Sequence, residues 1–151
     1  MAKLTLSLGS NLGDRRRFLA DARRELGRQL GPLVYTSTLV RNPPWGPVPQ
    51  EDFLNQVIVL SVEASLSGPP LPADLHRILD ITQAIETRAG RQRDVRWGPR
   101  TLDIDLIFLE DIIYEDERLS LPHPWWWQRG FVRDLLPPGL LDPYGRILDA
   151  R

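Results

Sequence analysis

The chain has no cysteine in its 151 residues, which excludes a disulfide framework and thiolate metal sites. It has a single lysine, Lys3, one methionine and two histidines. Nowhere does an apolar run approach the roughly 18 residues that span a bilayer. No continuous apolar stretch follows Lys3, so no secretory signal is expected and the chain is expected to be cytoplasmic. Charge of one sign is missing too. Nineteen basic and 20 acidic side chains sum to −1, which argues against a general nucleic-acid binder or a polybasic membrane binder. No internal repeat or long polar linker divides the sequence, so one domain over residues 1–151 is expected.

What is present is uneven. All basic residues except Lys3 are arginine, the better planar fork for phosphate and carboxylate, and there are 14 prolines and five tryptophans. The near-zero sum also hides segregation. Residues 91–100 carry four arginines against one aspartate, a local +3, whereas residues 101–117 carry seven acids and no base, a local −7.

The alternation of Leu4, Leu6 and Leu8 predicts a half-buried strand that ends at Gly9-Ser10-Asn11. Ser10 or Asn11 is expected to cap a helix in which Phe18, Leu19, Ala22, Leu26 and Leu30 form the apolar face, stopped by Gly31-Pro32. Residues 33–40 are β-rich, and residues 41–50, with four prolines, read as a stiffened loop. A strand over 53–62 is followed by a Gly/Pro break and a second helix near Pro72, with Leu75, Ile78, Leu79, Thr82 and Ile85 inward, ending near Gly90. Leu102–Leu109 reads as a buried strand, residues 112–121 as a short hairpin, 129–136 as a short helix, and 146–148 as a small final strand. The order β-α-β-β-α-β predicts an α+β, ferredoxin-like antiparallel sheet with helices packed on it, plus a small C-terminal extension.

Asp103 and Asp105 are two residues apart on a strand and share a face, while Leu102, Ile104 and Leu106 turn to the core. Paired carboxylates in an apolar strand need protons, arginines or a metal, and hard oxygen donors suit Mg²⁺ shared with substrate phosphates. The bland alternative is a solvent-facing strand end paired with Arg100. Arg91, Arg93, Arg96 and Arg100 beside that pair read either as a solvated loop or as a phosphate clamp with Trp97 against a ring. Phe53 and Asn55 share a strand face, suited to stacking on a flat heterocycle and reading its edge; a core Phe53 and a turn-capping Asn55 fit the spacing equally. His123, fixed between Pro122 and Pro124, forms a candidate phosphate donor pair with Arg129, whereas His76 reads as a surface residue. Of Trp125-Trp126-Trp127, not all three can face inward from one element.

These residues carry a resemblance. The run Arg96-Trp97-Gly98-Pro99-Arg100-Thr101-Leu102-Asp103-Ile104-Asp105 resembles the signature of the 6-hydroxymethyl-7,8-dihydropterin pyrophosphokinase family of folate biosynthesis. Gly9-Ser10-Asn11, Pro43-Pro44, Gly46-Pro47, Phe53-Leu54-Asn55, Gln83 with Glu86, Gly90-Arg91 and Pro122-His123 agree in order and spacing along nearly the whole chain. The resemblance implies transfer of pyrophosphate from ATP to the pterin hydroxymethyl oxygen, with AMP leaving. It implies Asp103 and Asp105 as ligands of two Mg²⁺ ions, and Arg91 and Arg100 as catalytic phosphate-handling groups. Gln83, Glu86, Arg93, Trp97, Arg100, His123 and Arg129 would serve ATP. Asn42, Pro43, Pro44, Trp45, Phe53, Asn55 and Phe131 would enclose the pterin, Phe53 and Phe131 sandwiching its ring. The implied state is a monomer with no nucleic-acid or membrane partner. Two segments depart from the family pattern: Gly90–Trp97 is one residue short, and Pro124–Gln128 replaces a more polar stretch. A base-stacking RNA binder on the same fold and a nucleotide-sugar transferase using Asp-x-Asp are the competing readings; the near-zero charge opposes the first and the long signature the second.

Overall fold

The alternating leucines form β1 (Ala2–Ser10), the central strand of the sheet. A computed structural model describes residues 1–44, 46–63, 71–91 and 99–138. Around β1 the chain runs through α1 (Arg15–Leu30), β2 (Leu33–Thr36), β3 (Val40–Asn42), β4 (Phe53–Val62), α2 (Pro72–Arg88) and β5 (Asp103–Leu109). The hairpin strands β6 (Tyr114–Glu115) and β7 (Ser120–Leu121), a 3₁₀ turn (Trp126–Gln128) and α3 (Gly130–Leu135) follow. The sheet order β2-β4-β1-β5 is antiparallel throughout, with β3 also pairing β4. This is the expected ferredoxin-like α+β arrangement.

One face of the sheet is covered by α1 and α2. Leu4, Leu6 and Leu8 meet Leu19, Leu26, Leu75 and Ile78 there, and burying each such side chain stabilises the fold by roughly 1.5–3 kcal/mol. β1 is not half-buried as its alternation suggests. Thr5 and Ser7 are buried as well, because both edges of β1 are paired and a second layer lies over the opposite face. That layer is the 3₁₀ turn and α3, whose Trp126, Val132 and Leu135 pack with Val57, Ile107 and Phe108. Trp126 is buried and meets Phe108 edge-on at 5.0 Å, while Trp125 and Trp127 remain exposed. The Tyr35 hydroxyl donates to the Leu135 carbonyl at 2.7 Å and ties β2 to α3.

Four details differ from the sequence reading. The α1 cap is Asp14, whose carboxylate accepts from the Arg17 amide at 3.2 Å; Ser10 and Asn11 are buried at the end of β1 instead. The β-rich stretch after Pro32 is two strands, and the second includes Arg41 and Asn42, read above as loop. Ser37 causes the break: its Oγ accepts from the Val57 amide at 2.9 Å while its own amide donates to the Val57 carbonyl, so a side chain enters the ladder. The β1–β5 register shifts between Thr5 and Leu6, leaving Ile107 as an extra residue of β5. His76 is half-buried and bonded to Asp116 rather than a free surface residue. The expected strand at 146–148 lies outside the described residues. Among these, no helix is long and apolar enough to cross a membrane.

Candidate active site

Strand register alone gathers the first half of the site. Asp103 of β5 pairs with Gly9 of β1, and Gly9 pairs with Asn55 of β4. Cross-strand partners share a face, so Asp103 and Asn55 flank a position that has no side chain. A Cβ at Gly9 would lie 2.9 Å from Asn55 Oδ1 and 3.3 Å from the Phe53 ring, so glycine is needed there. Two residues along the strands, the same face presents Asp105 and Phe53, and Asn42 pairs with Phe53. The result is a cavity of about 210 Å³ lined by Asn42, Pro43, Phe53, Asn55, Arg91, Arg100, Asp103, Asp105, Arg129 and Phe131. All ten are among the residues singled out from the sequence.

Arginines meet the carboxylates from two elements. Arg91 Nη1 is 3.1 Å from Asp103 Oδ1, and Arg129 Nη1 donates to Asp105 Oδ2 at 2.8 Å. Arg91 is also bonded to Glu86, which is buried on α2 and accepts from the Ile104 amide at 2.9 Å. Glu86 thus lies beneath the site and ties α2, Arg91 and β5 together; it does not line the cavity. The Arg100 backbone is placed by Asn11, which the sequence reading took for a helix cap and not for a site residue. The Asn11 Oδ1 accepts from the Arg100 amide at 2.8 Å, and its Nδ2 donates to Gln50 Oε1 and the Glu51 carbonyl at 2.7 and 2.9 Å. Its signal in the sequence is an amide in a Gly-Ser-Asn turn, which reads locally as a cap.

Burial first, and then the neighbouring Asp105 charge, push the Asp103 carboxyl up to about 6, against the pull of Arg91, Arg100 and Arg129. A carboxylate pair under this tension gains by meeting a further cation. Among the described residues no group of three or more His, Cys, Asp or Glu side chains forms a closed metal cage. Mg²⁺ does not need one, since one or two carboxylates plus substrate phosphates and water complete its shell. Asp103 and Asp105 fit that role.

His123 lies at the edge of the pair, with Nε2 3.9 Å from Asp105 Oδ1. Its amide donates to the carbonyl of Ile107, the extra residue of β5, at 2.9 Å. Its Nδ1 accepts from the Trp125 amide at 3.1 Å, which leaves the proton of the neutral ring on Nε2. Burial, and then the Arg129 charge, lower its pKa to about 4.

A second cavity of about 340 Å³ adjoins the first through Asp105. His123, Pro124 and Trp125 form one side, Leu79, Ile104 and Leu106 the apolar base, and Asp116–Ser120 the far wall. Arg118 and Ser120 were missed in the sequence; Arg118 is the first base after the seven-acid stretch, a faint signal. Gln83 stands behind this wall, its Oε1 accepting from Arg118 Nη2 at 3.4 Å. Pro44 is half-buried outside both linings. Trp45, Arg93 and Trp97 lie outside the described residues.

Comparison with known proteins identifies the family of the chain. A profile of the 7,8-dihydro-6-hydroxymethylpterin-pyrophosphokinase (HPPK) family matches residues 5–137. A Methylorubrum extorquens protein named 2-amino-4-hydroxy-6-hydroxymethyldihydropteridine pyrophosphokinase is 38% identical over 133 residues, 87% of this chain and 78% of that protein. A Porphyromonas gingivalis protein of the same name is 40% identical over 139 residues, 88% and 87% of the two chains. The wild-type Plasmodium falciparum HPPK-DHPS crystal structure superposes with a TM-score of 0.65 at 13% identity, over 98% of this chain. This chain spans 43% of that longer one, and the likeness concerns the fold alone. By the extent of the profile match and by identity to two proteins of one name, the chain belongs to the HPPK family.

Proposed function

We propose that the two adjoining cavities divide the substrates of a single reaction: transfer of pyrophosphate from ATP to 6-hydroxymethyl-7,8-dihydropterin, in folate biosynthesis. The observation that carries this reading is the position of Asp105, which lines both cavities. The first cavity pairs Phe53 and Phe131 with the Asn55 amide, a set suited to stack on a flat heterocycle and read its edge. The second, larger cavity takes the nucleotide, its apolar base under the purine and Arg118 in its wall.

The phosphate chain then crosses between Asp103, Asp105, Arg91, Arg100, Arg129 and His123. Asp103 and Asp105 would hold two Mg²⁺ ions, which would supply positive charge to offset that of the transferred group. Arg91, its guanidinium fixed from below by Glu86, is a preorganised donor that needs little rearrangement as charge moves, and Asn11 holds the backbone from which Arg100 enters the cavity. His123 offers a neutral Nε2–H to a phosphate oxygen. The hydroxymethyl oxygen attacks the β-phosphorus. The bond from that phosphorus to the oxygen shared with the α-phosphate breaks, AMP departs with that oxygen, and the hydroxyl proton is released. The working unit is a monomer.

Incubation with ATP, Mg²⁺ and 6-hydroxymethyl-7,8-dihydropterin tests the reading. AMP is expected in step with pterin diphosphate, with neither formed in excess chelator. Release of ADP and phosphate in place of AMP would overturn it.

A further inference from the structure

The far wall of the second cavity is held by a polar cluster that no element of the phosphate site explains. At its centre is Asp116, in the turn between β6 and β7. Its Oδ1 accepts from the Arg118 and Leu119 amides at 2.7 and 2.9 Å. Its Oδ2 accepts from the Tyr114 hydroxyl at 2.5 Å and from His76 Nε2 of α2 at 2.6 Å. A carboxylate can only accept, so the His76 proton facing it is on Nε2. With four donors its oxygens are fully engaged, and the Tyr114 hydroxyl first among them holds the carboxyl well below the usual range. Asp116 thus lines the cavity with no lone pair left for a ligand. What it does is fix the turn. The same turn presents Arg118, whose Nη2 donates to Asp80 Oδ1 of α2 at 2.7 Å and reaches Gln83 Oε1 at 3.4 Å. Helix α2 therefore grips the turn at two points, at Asp116 through His76 and at Arg118 through Asp80.

We propose that His76, Asp116 and Tyr114 form a clamp that sets nucleotide affinity by holding the 116–119 turn and Arg118 against the second cavity. The three are positioning residues and touch no reacting atom. The inference rests on the reading that nucleotide occupies this cavity. Its mechanism is entropic. An isolated two-residue β-ladder is too short to hold its own turn, so without the clamp the ligand must order the wall as it binds. The loss should appear in nucleotide binding and not in the chemical step.

The test is His76→Leu, which removes the donor, against His76→Gln, whose Nε2 keeps it, and Tyr114→Phe. In His76→Leu the KM for ATP, and the Kd for the non-hydrolysable analogue α,β-methylene-ATP by calorimetry, should rise roughly tenfold, with kcat and the pterin KM within about twofold. His76→Gln should recover most of the affinity, and Tyr114→Phe should lose about threefold. Wild-type analogue affinity in both His76→Leu and Tyr114→Phe overturns the clamp. So does a parallel loss of kcat and pterin affinity, which marks general loosening. If His76→Leu does not fold, Tyr114→Phe decides alone by the same readings. Failure of the wild-type protein to make AMP sinks the proposed reaction instead, whereas analogue affinity tests the clamp with or without turnover.

Discussion

The two cavities meet at Asp105 but are held by different kinds of structure. The first is built on the sheet. Asp103, Gly9 and Asn55 form one row across three strands, and a slip of one residue in any strand would send its side chain to the other face. The second is built between a helix and a hairpin whose two strands are two residues each, and its wall stands by side-chain bonds from His76 and Asp80. Backbone ladders fix positions cooperatively, whereas side-chain bonds fix them one at a time. Substitutions in the first cavity should therefore act on chemistry or on pterin binding while the sheet stays intact. Substitutions around the second should act on nucleotide affinity.

The largest expected effect is at the junction. Asp103→Ala or Asp105→Ala should lower kcat by about 10³-fold or more at saturating Mg²⁺, with a cooperative melt retained. Near-normal AMP release by either variant would remove the proposed metal role and with it the reason for two cavities to meet there. Next is Glu86→Ala, which takes from the buried Arg91 one of its two carboxylate partners and from the Ile104 amide its acceptor. It should cost about 3–5 kcal/mol in urea unfolding and lower kcat as well. A loss of stability with unchanged kcat would show that Glu86 supports the fold without positioning Arg91. Phe53→Ala should raise the pterin KM roughly tenfold and leave the ATP KM alone, since it removes stacking from one cavity only. Equal changes in both constants would dissolve the distinction between the cavities.

The smallest effect concerns pH in the metal-free protein. The Asp103 carboxyl is raised, so the folded state holds its proton more tightly than the unfolded one, and this group favours folding as pH falls from about 6 toward its ordinary value near 3.8. His123 is lowered to about 4, so the unfolded state binds its proton first, and this group disfavours folding as pH falls from 6.5. The two slopes oppose each other. Relative to wild type in chelator, Asp103→Asn should lose melting temperature on going from pH 6.5 to 4.5, and His123→Gln should gain. Parallel melting curves for all three proteins would show that burial shifts neither group.

Much of the first cavity was legible because strand alternation is a local rule. Asp103 with Asp105, and Phe53 with Asn55, could be put on shared faces from spacing alone; that the two pairs share one cavity depends on register, which the sequence does not print. Asn11 was read as a cap because an amide after Gly-Ser usually bonds locally, yet its partners are 39, 40 and 89 residues away. His76 was read as surface for the same reason: its partner Asp116 is 40 residues distant. Ser37 entered a ladder where no propensity scale registers it. Long-range polar bonds have no periodicity, and that is why the second cavity's wall was invisible while its apolar base, Leu79, Ile104 and Leu106, was already assigned to core.

The extra residue Ile107 divides β5 into two phases. Before it, Asp103 and Asp105 face the site and their neighbours face the helices; after it, Ile107 and Phe108 both join the opposite layer, and the Ile107 carbonyl is left to anchor His123. A designer who regularised this strand by deleting one residue would gain a continuous ladder. The same edit would leave Phe108 opposite Thr5, on the face of the carboxylates, but would take the Ile107 side chain out of the opposite layer and, with its carbonyl gone, cast the histidine adrift. Here an irregularity that looks like a defect in the sheet is the joint that lets one strand serve both a core and a catalyst.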